Sequence, residues 1–370
     1  MIFKAFGFLL LVFAIQRLWK ISLKMGVYKK GFIHHPGPCR NVLPIETGSE
    51  DIALAANGIA FISSGLKVGR YCEPSCDPRI SEYVGRIYKF DFNMPNEDAV
   101  AVNLPDELGE YFSPHGMDLW QDPDSGEIRL FVVNHRLEEE AVEILKYNQK
   151  SNSFSLVKSV RHELFTSVND VVAVGPDSFY AANDAYITGC WRMMEAVLGL
   201  PWCTVVYYDG ETAKIVEKGE GFNSLAISKG GRFVFLSVPF DQQVNIYKRD
   251  QKDGSLKLTR SIEVGCMIDN VFIDHTTGDV WSGCHLSSNL FGQHVADIDM
   301  KAPSQVIRVH PKGPADDPFS TYQLFSPFGD DGELVSASSS VALYKNKILI
   351  GTVLHKAAFC EIAMKASSTF

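Results

Sequence analysis

Asn169-Asp170-Val171-Val172-Ala173-Val174 begins with two oxygen-donor side chains and runs straight into a short apolar strand. The same shape recurs at Asn57-Gly58-Ile59-Ala60-Phe61-Ile62, His115-Gly116-Met117-Asp118-Leu119-Trp120, Asn223-Ser224-Leu225-Ala226-Ile227-Ser228 and Asp269-Asn270-Val271-Phe272-Ile273-Asp274. Measured from Asn57, His115, Asn169, Asn223 and Asn270, the intervals are 58, 54, 54 and 47 residues. A self-similar period near fifty is the signature of a propeller, one blade per repeat. Ser336-Ala337-Ser338-Ser339-Ser340-Val341-Ala342-Leu343-Tyr344 supplies a further copy with Ser in place of Asn, which makes six blades. The innermost strands of a propeller start at one end of a central channel. Polar starts from several blades therefore converge there, and a ring of Asn and Asp oxygens suits a hard cation.

Working outward, the remaining strands follow the same hairpin plan. Asp122-Pro123-Asp124-Ser125-Gly126, Ser228-Lys229-Gly230-Gly231 and Asp274-His275-Thr276-Thr277-Gly278 are turn sequences just beyond inner strands. Arg86 to Asp91 and Gln243 to Lys248 alternate polar and apolar residues as outer strands do. The 29 glycines and 17 prolines are spread along the chain, with no linker or low-complexity run to divide it. Residues 26–370 are therefore expected to form one all-β domain. An apolar content of 46% supports a large core, and a net charge of −9 argues against nucleic acid as a partner, because phosphate recognition needs a basic footprint.

Residues 1–25 stand outside the propeller. Lys4 precedes an apolar run from Ala5 to Ile15, the length of a signal-peptide core and short for a membrane span. Bulky and basic residues follow it instead of a small-x-small cleavage site, so a retained signal-anchor helix is expected. That places the chain in the secretory pathway, secreted or membrane-anchored on the lumenal or extracellular side. Its eight cysteines then meet an oxidising environment. A bond between Cys39 and Cys360 would tie the first and last strands into a closed ring, worth on the order of 5 kcal/mol by loop entropy. Cys72 and Cys76 share a Pro-containing loop and could pair locally or stay reduced. Cys190, Cys203 and Cys266 show no connectivity from spacing, and Cys284 is expected to be a buried free thiol. A short helix over Trp191 to Trp202, apolar around most of its circumference, is expected on one face. It reads either as a cap or as a surface for a membrane or lipoprotein.

Several of these segments carry a resemblance. Gly48-Ser49-Glu50-Asp51, Asn57 to Lys67, Pro114-His115-Gly116, Val133-Asn134-His135, Asn169 to Pro176, Trp281 to His285, Gly351 to Lys356 and Cys360-Glu361 resemble the paraoxonase/arylesterase family over about residues 25–362. The resemblance implies a six-bladed propeller with two calcium ions in its tunnel. The catalytic ion would be held by Glu50, Asn169, Asn223, Asp269 and Asn270, a set that leaves open positions for substrate and water. A deeper structural ion would use Asp51, Asp170 and the backbone carbonyl of Met117. Leu66, Lys67, His285, Val353 and His355 resemble substrate contacts at the tunnel mouth. A single Asn before a strand is usually a turn residue, so the set gains weight only from its repetition at blade period together with the resemblance, and Asn57 drops out of the site as a turn residue.

His115 starts the second inner strand and His135 ends the strand after it, so the two can meet across a hairpin. One could take a proton from water while the other orients it. The resemblance implies calcium-dependent hydrolysis of lipophilic lactones and aryl esters, with organophosphates as a side activity. No Gly-x-Ser-x-Gly elbow supports a serine route. The competing expectation is a non-catalytic, membrane-tethered chaperone or assembly factor on the same fold. The loop after Lys67, Val68-Gly69-Arg70-Tyr71-Cys72, departs from the family's better-known members, and no Asn-x-Ser/Thr sequon occurs.

Overall fold

The computed structural model describes residues 22–67, 76–109, 111–136, 139–187, 189 and 192–362, with positions 8, 11, 12, 15, 16 and 19. The expected anchor falls largely outside these residues, as do Cys72, Cys190 and Trp191. Among the described residues, no helix is long and apolar enough to cross a membrane.

Six four-stranded antiparallel sheets form the six blades. Their innermost strands are Ile52–Leu54, Pro114–Gln121, Val168–Ala173, Leu225–Ile227, Met267–Ile273 and Ser338–Tyr344. Each touches the innermost strands of both neighbouring blades, which closes the ring. Between blades, apolar faces interlock in separate clusters. Phe131, Phe179, Val171 and Val206, for example, are fully buried between the second and third blades.

The last blade is completed from the other end of the chain. Cys39–Val42 forms its outermost strand, antiparallel to Ala357–Glu361, with Cys39 opposite Cys360. These two cysteines are disulfide-bonded, as the closure argument expected.

Asn57 is a turn residue, as its exclusion from the ligand set implies: Asn57-Gly58 joins the first and second strands of the first blade, so the strand it precedes is that blade's second. Gly58 sits at φ +87° and the Asn57 side chain accepts a hydrogen bond from the Ile59 N–H, both marks of a turn. The true counterpart of Asn169-Asp170 in that blade is Glu50-Asp51.

A β-bulge sits at the start of every inner strand. Register shifts fall between Pro114 and Met117, Val168 and Asp170, Ile268 and Val271, and Ser338 and Ser340. In the other two blades the Ser63 backbone bonds both Glu50 and Asp51, and the Ser237 backbone bonds both Asn223 and Ser224. Two residues thus face one, which breaks the alternation of a regular strand and re-aims the extra side chain. Gly116 lies in one of these bulges, where a Cβ would come 2.2 Å from Asp170 Oδ1. The backbone there can approach the neighbouring blade only as glycine.

The helix expected over residues 191–202 is present as α1 (Arg192–Leu198), and α2 (Ser288–Ala296) follows the fifth blade's second strand. Cys284 is not a free thiol. It is disulfide-bonded to Cys266, which lies just before the adjacent inner strand with its Cα 6.0 Å away, within ordinary disulfide reach. Cys76 is also disulfide-bonded. Among the described residues the free cysteine is Cys203, buried in the third blade.

Candidate active site

The bulges divide consecutive residues between the two ends of the tunnel. Glu50, His115, Asn169, Asn223 and Asp269 line a cavity of about 520 Å³ at the strand-start end. Asp51, Met117, Asp118 and Asp170 line a cavity of about 1030 Å³ at the opposite end. The adjacent pairs Glu50-Asp51 and Asn169-Asp170 therefore address different chambers.

Unpaired oxygens lie at the first chamber and beside it, where Asn270, bonded to Glu50, follows the lining residue Asp269. Glu50 Oε2, Asn169 Oδ1 and Asn270 Oδ1 are buried with no hydrogen-bond partner. Their amide geometry explains the direction in which they point. Asn270 Nδ2 donates to Glu50 Oε1 at 2.8 Å and to the Glu50 carbonyl at 2.9 Å. Asn169 Nδ2 donates to Asp184 Oδ2 at 3.1 Å. With each NH₂ held by an acceptor, each Oδ1 is left as an acceptor without a donor. Asp269 Oδ2 lies 2.9 Å from His285 Nε2, and Asn223 Oδ1 accepts from Ser237 Oγ at 3.3 Å.

Electrostatics point the same way. Burial, then the charges of Asp269 and Asp51, raises the Glu50 carboxyl well above its ordinary range. Burial raises Asp51 to about 7 and pushes Asp170 well up, the latter helped by Asp51. Buried polar atoms are normally paired, and buried carboxylates are normally neutralised. Orphaned oxygens among mutually repelling carboxylates are a donor set for a hard divalent cation. Among the described residues no cluster of three His, Cys, Asp or Glu side chains has metal-binding spacing, because this set relies on three Asn amides beside two carboxylates.

In the second chamber the aspartates are already occupied by the backbone. Asp51 accepts from the N–H groups of Ile52 at 2.8 Å and Met117 at 2.6 Å. Asp170 accepts from Val171 N–H, Ser224 Oγ and Leu225 N–H at 2.6–2.7 Å. These bonds tie the first blade to the second and the third to the fourth.

His115 and His135 meet as neighbours, with Nδ1 of the first 2.8 Å from Nε2 of the second. His115 Nε2 lies 3.7 Å from Glu50 Oε1 at the cavity wall. Burial, with smaller effects from His135 and Arg192, holds His115 well below the ordinary imidazole value. It is a neutral imidazole at physiological pH, as a base must be. Of the expected substrate contacts, Leu66, His285 and Val353 line the chamber, and His285 stacks on Phe291 of α2 with ring centroids 4.1 Å apart. Lys67 and His355 are half-buried outside the lining residues.

Comparison with known proteins now has a site to refer to. The Arylesterase family model matches residues 33–362, most of the chain. The chain belongs to the arylesterase family. It is 36% identical over 328 residues to serum paraoxonase/arylesterase 2 of Gallus gallus, covering 88% of each chain. Identity to serum paraoxonase/arylesterase 1 of Homo sapiens is 33% over 330 residues, again 88% of each. For serum paraoxonase/lactonase 3 of Rattus norvegicus it is 31%, covering 88% of this chain and 89% of the relative. Among solved structures, a luciferin-regenerating enzyme superposes with a TM-score of 0.54 at 12% identity, over 90% of this chain and 98% of that one. A gluconolactonase from Xanthomonas campestris gives 0.51 at 14%, over 90% and 99%. These two likenesses establish a shared fold.

Three further residues of the chamber received no site role from the sequence. Asp184 follows Asn183 at the end of the third blade's second strand, and that second Asn-Asp pair was a usable signal. The Arg192 guanidinium, brought in by α1, pairs with Asp184 and donates to Ser167 Oγ at 3.1 Å. Nothing in the spacing of residues 191–202 marks it. Cys203 lines the chamber with its thiol pushed up to about 12 by burial, so it is protonated and unreactive.

Proposed function

We propose that this protein is a calcium-dependent hydrolase of lactones and aryl esters, with organophosphates as a side activity. The observation that carries the reading is the set of orphaned oxygens on Glu50, Asn169 and Asn270 beside the hydrogen-bonded His115–His135 pair. Glu50, Asn169, Asn223, Asp269 and Asn270 would hold the catalytic calcium, and Asp51, Asp170 and the Met117 carbonyl a structural one. When bound, the catalytic ion supplies Lewis acidity, polarising the substrate carbonyl and offsetting the charge that develops on its oxygen.

The remaining work falls to this chain's own residues. Leu66, Phe222, Phe240, Phe291 and Val353 give the chamber apolar walls, which exclude water and favour lipophilic acyl or ring substituents. His115 takes a proton from water at Nε2 while His135 holds the ring through Nδ1. The hydroxide so formed attacks the carbonyl, and the protonated His115 returns its proton to the leaving alkoxide or phenoxide. The Asp184–Arg192 pair fixes the Asn169 amide, so that its oxygen stays turned inward.

The test is hydrolysis of phenyl acetate and a γ-lactone by the full chain, with and without a chelator. Turnover lost on chelation and restored by added calcium is the expected result. Absence of calcium-dependent turnover of either substrate turns the reading to a non-catalytic, membrane-tethered assembly factor.

The apolar partner surface is part of the same proposal. Tyr186, Met194, Leu198 and Trp202 are exposed together at α1, with the Tyr186 and Trp202 rings 6.0 Å apart. With the N-terminal segment they would seat the chamber mouth on a membrane or lipoprotein surface. The oxidised cysteines agree with a secretory location. Flotation with phosphatidylcholine vesicles is expected for the intact chain and lost when Leu198 and Trp202 are replaced by Ser; equal flotation would sink this assignment.

A further inference from the structure

We propose that Glu140 is a positioning residue that sets the direction of the proton chain through His135 and His115, an inference that rests on the hydrolytic reading above. His135 ends the strand Ile128–His135 and Glu140 opens Glu140–Asn148, and the two are register partners across the hairpin. Glu140 Oε2 lies 2.5 Å from His135 Nδ1, and the two residues are 7% and 6% exposed. The neighbouring carboxylate on the same strand, Glu143, is engaged elsewhere, by Arg136 and the Asn134 amide.

An ionised carboxylate accepts hydrogen bonds and donates none. His135 must therefore carry its proton on Nδ1, which leaves its Nε2 with a lone pair. Across the 2.8 Å contact, His115 Nδ1 must then be the donor. That assignment leaves the second lone pair on His115 Nε2, the nitrogen facing Glu50 and the chamber. One buried anion thus polarises both rings and leaves a basic nitrogen where water would be activated. Two histidines alone have no such preference. Either ring could donate, and in the reversed chain His115 Nε2 carries a proton and cannot act as a base.

Glu140→Gln preserves the shape and removes the polarity, because an amide can accept through oxygen or donate through nitrogen. In the full-length protein it is expected to lower kcat for phenyl acetate by roughly 10-fold or more. KM should stay within about twofold, because no substrate contact is lost. Glu140→Asp, which retains the charge, should recover part of the rate. Independently of turnover, proton NMR of the wild type should show a low-field imidazole resonance, assigned to His135 by its loss in His135→Gln. It should move upfield or vanish in Glu140→Gln.

A Gln variant with wild-type kcat overturns the proposal, as does an unmoved resonance or the absence of any low-field imidazole proton in the wild type. If neither phenyl acetate nor a γ-lactone is hydrolysed, the hydrolytic reading fails and the resonance alone decides Glu140. Should the Gln variant lose its fold, Glu140→Asp serves: an upfield shift supports the assignment and an unchanged resonance overturns it.

Discussion

Glu50, Asp51 and Asp170 are carboxyl groups that the folded chain holds well above their ordinary values, Asp51 at about 7. In protein stripped of divalent cations, the folded state keeps protons that the unfolded state releases. Stability is then greatest below the ordinary carboxylate range and is lost as pH rises through the folded values. For Asp51 the shift from 3.8 to about 7 corresponds to roughly 4 kcal/mol across that window. A bound cation favours the ionised forms and cancels the loss. Thermal melts of chelated protein are expected to fall from pH 5 to pH 8, and added calcium should raise the melting temperature more at pH 8. A chelated protein equally stable at both would show that these carboxylates do not form one site. The polar strand starts Asn169-Asp170, Asn223 and Asp269-Asn270 were legible in the chain because they recur at blade period, whereas Glu50 entered only through the family resemblance. Asp184 and Arg192 were not legible, because their role depends on where a helix lands.

Among the elements, the bulge matters more than the strand. A regular strand would send Glu50 and Asp51 to opposite faces of a blade, and one of them into the apolar layer between blades. The bulge lets each address a tunnel chamber, and it recurs in all six blades. Its tightest point is Gly116, pressed against Asp170 Oδ1. Gly116→Ala is expected to destabilise the fold by about 2–4 kcal/mol, within the range for a new steric clash in a core. Urea unfolding would measure it, and a change under about 0.5 kcal/mol would contradict the packing described. The sequence showed the polar starts but not the bulges, since a bulge is a relation between two strands. Asn57 could be set aside as a turn residue from the sequence, but which strand of the blade it precedes is decided by pairing alone.

At the scale of the whole molecule, the ring has a seam, and the chain ends close it. The Cys39–Cys360 bond spans 321 residues, which the loop-entropy argument values at about 5–6 kcal/mol. Replacing both cysteines by Ser is expected to lower stability by several kcal/mol under non-reducing conditions. It should also make the Cys39–Val42 strand the first site of proteolysis, because an outermost strand then loses its covalent tie to the sheet. Unchanged denaturation midpoint and cleavage pattern would show that pairing suffices. The sequence by itself determined the six-fold repeat, because polar strand starts recur at a near-constant interval, and it placed one cysteine near each end of the ring, where a closing bond could form. The tertiary structure alone decided which of two adjacent donors faces which chamber, that Cys284 pairs with Cys266, and that Glu140 stands behind His135. Those outcomes depend on register and hairpin geometry, which bring residues together across strands and leave no periodic trace along the chain.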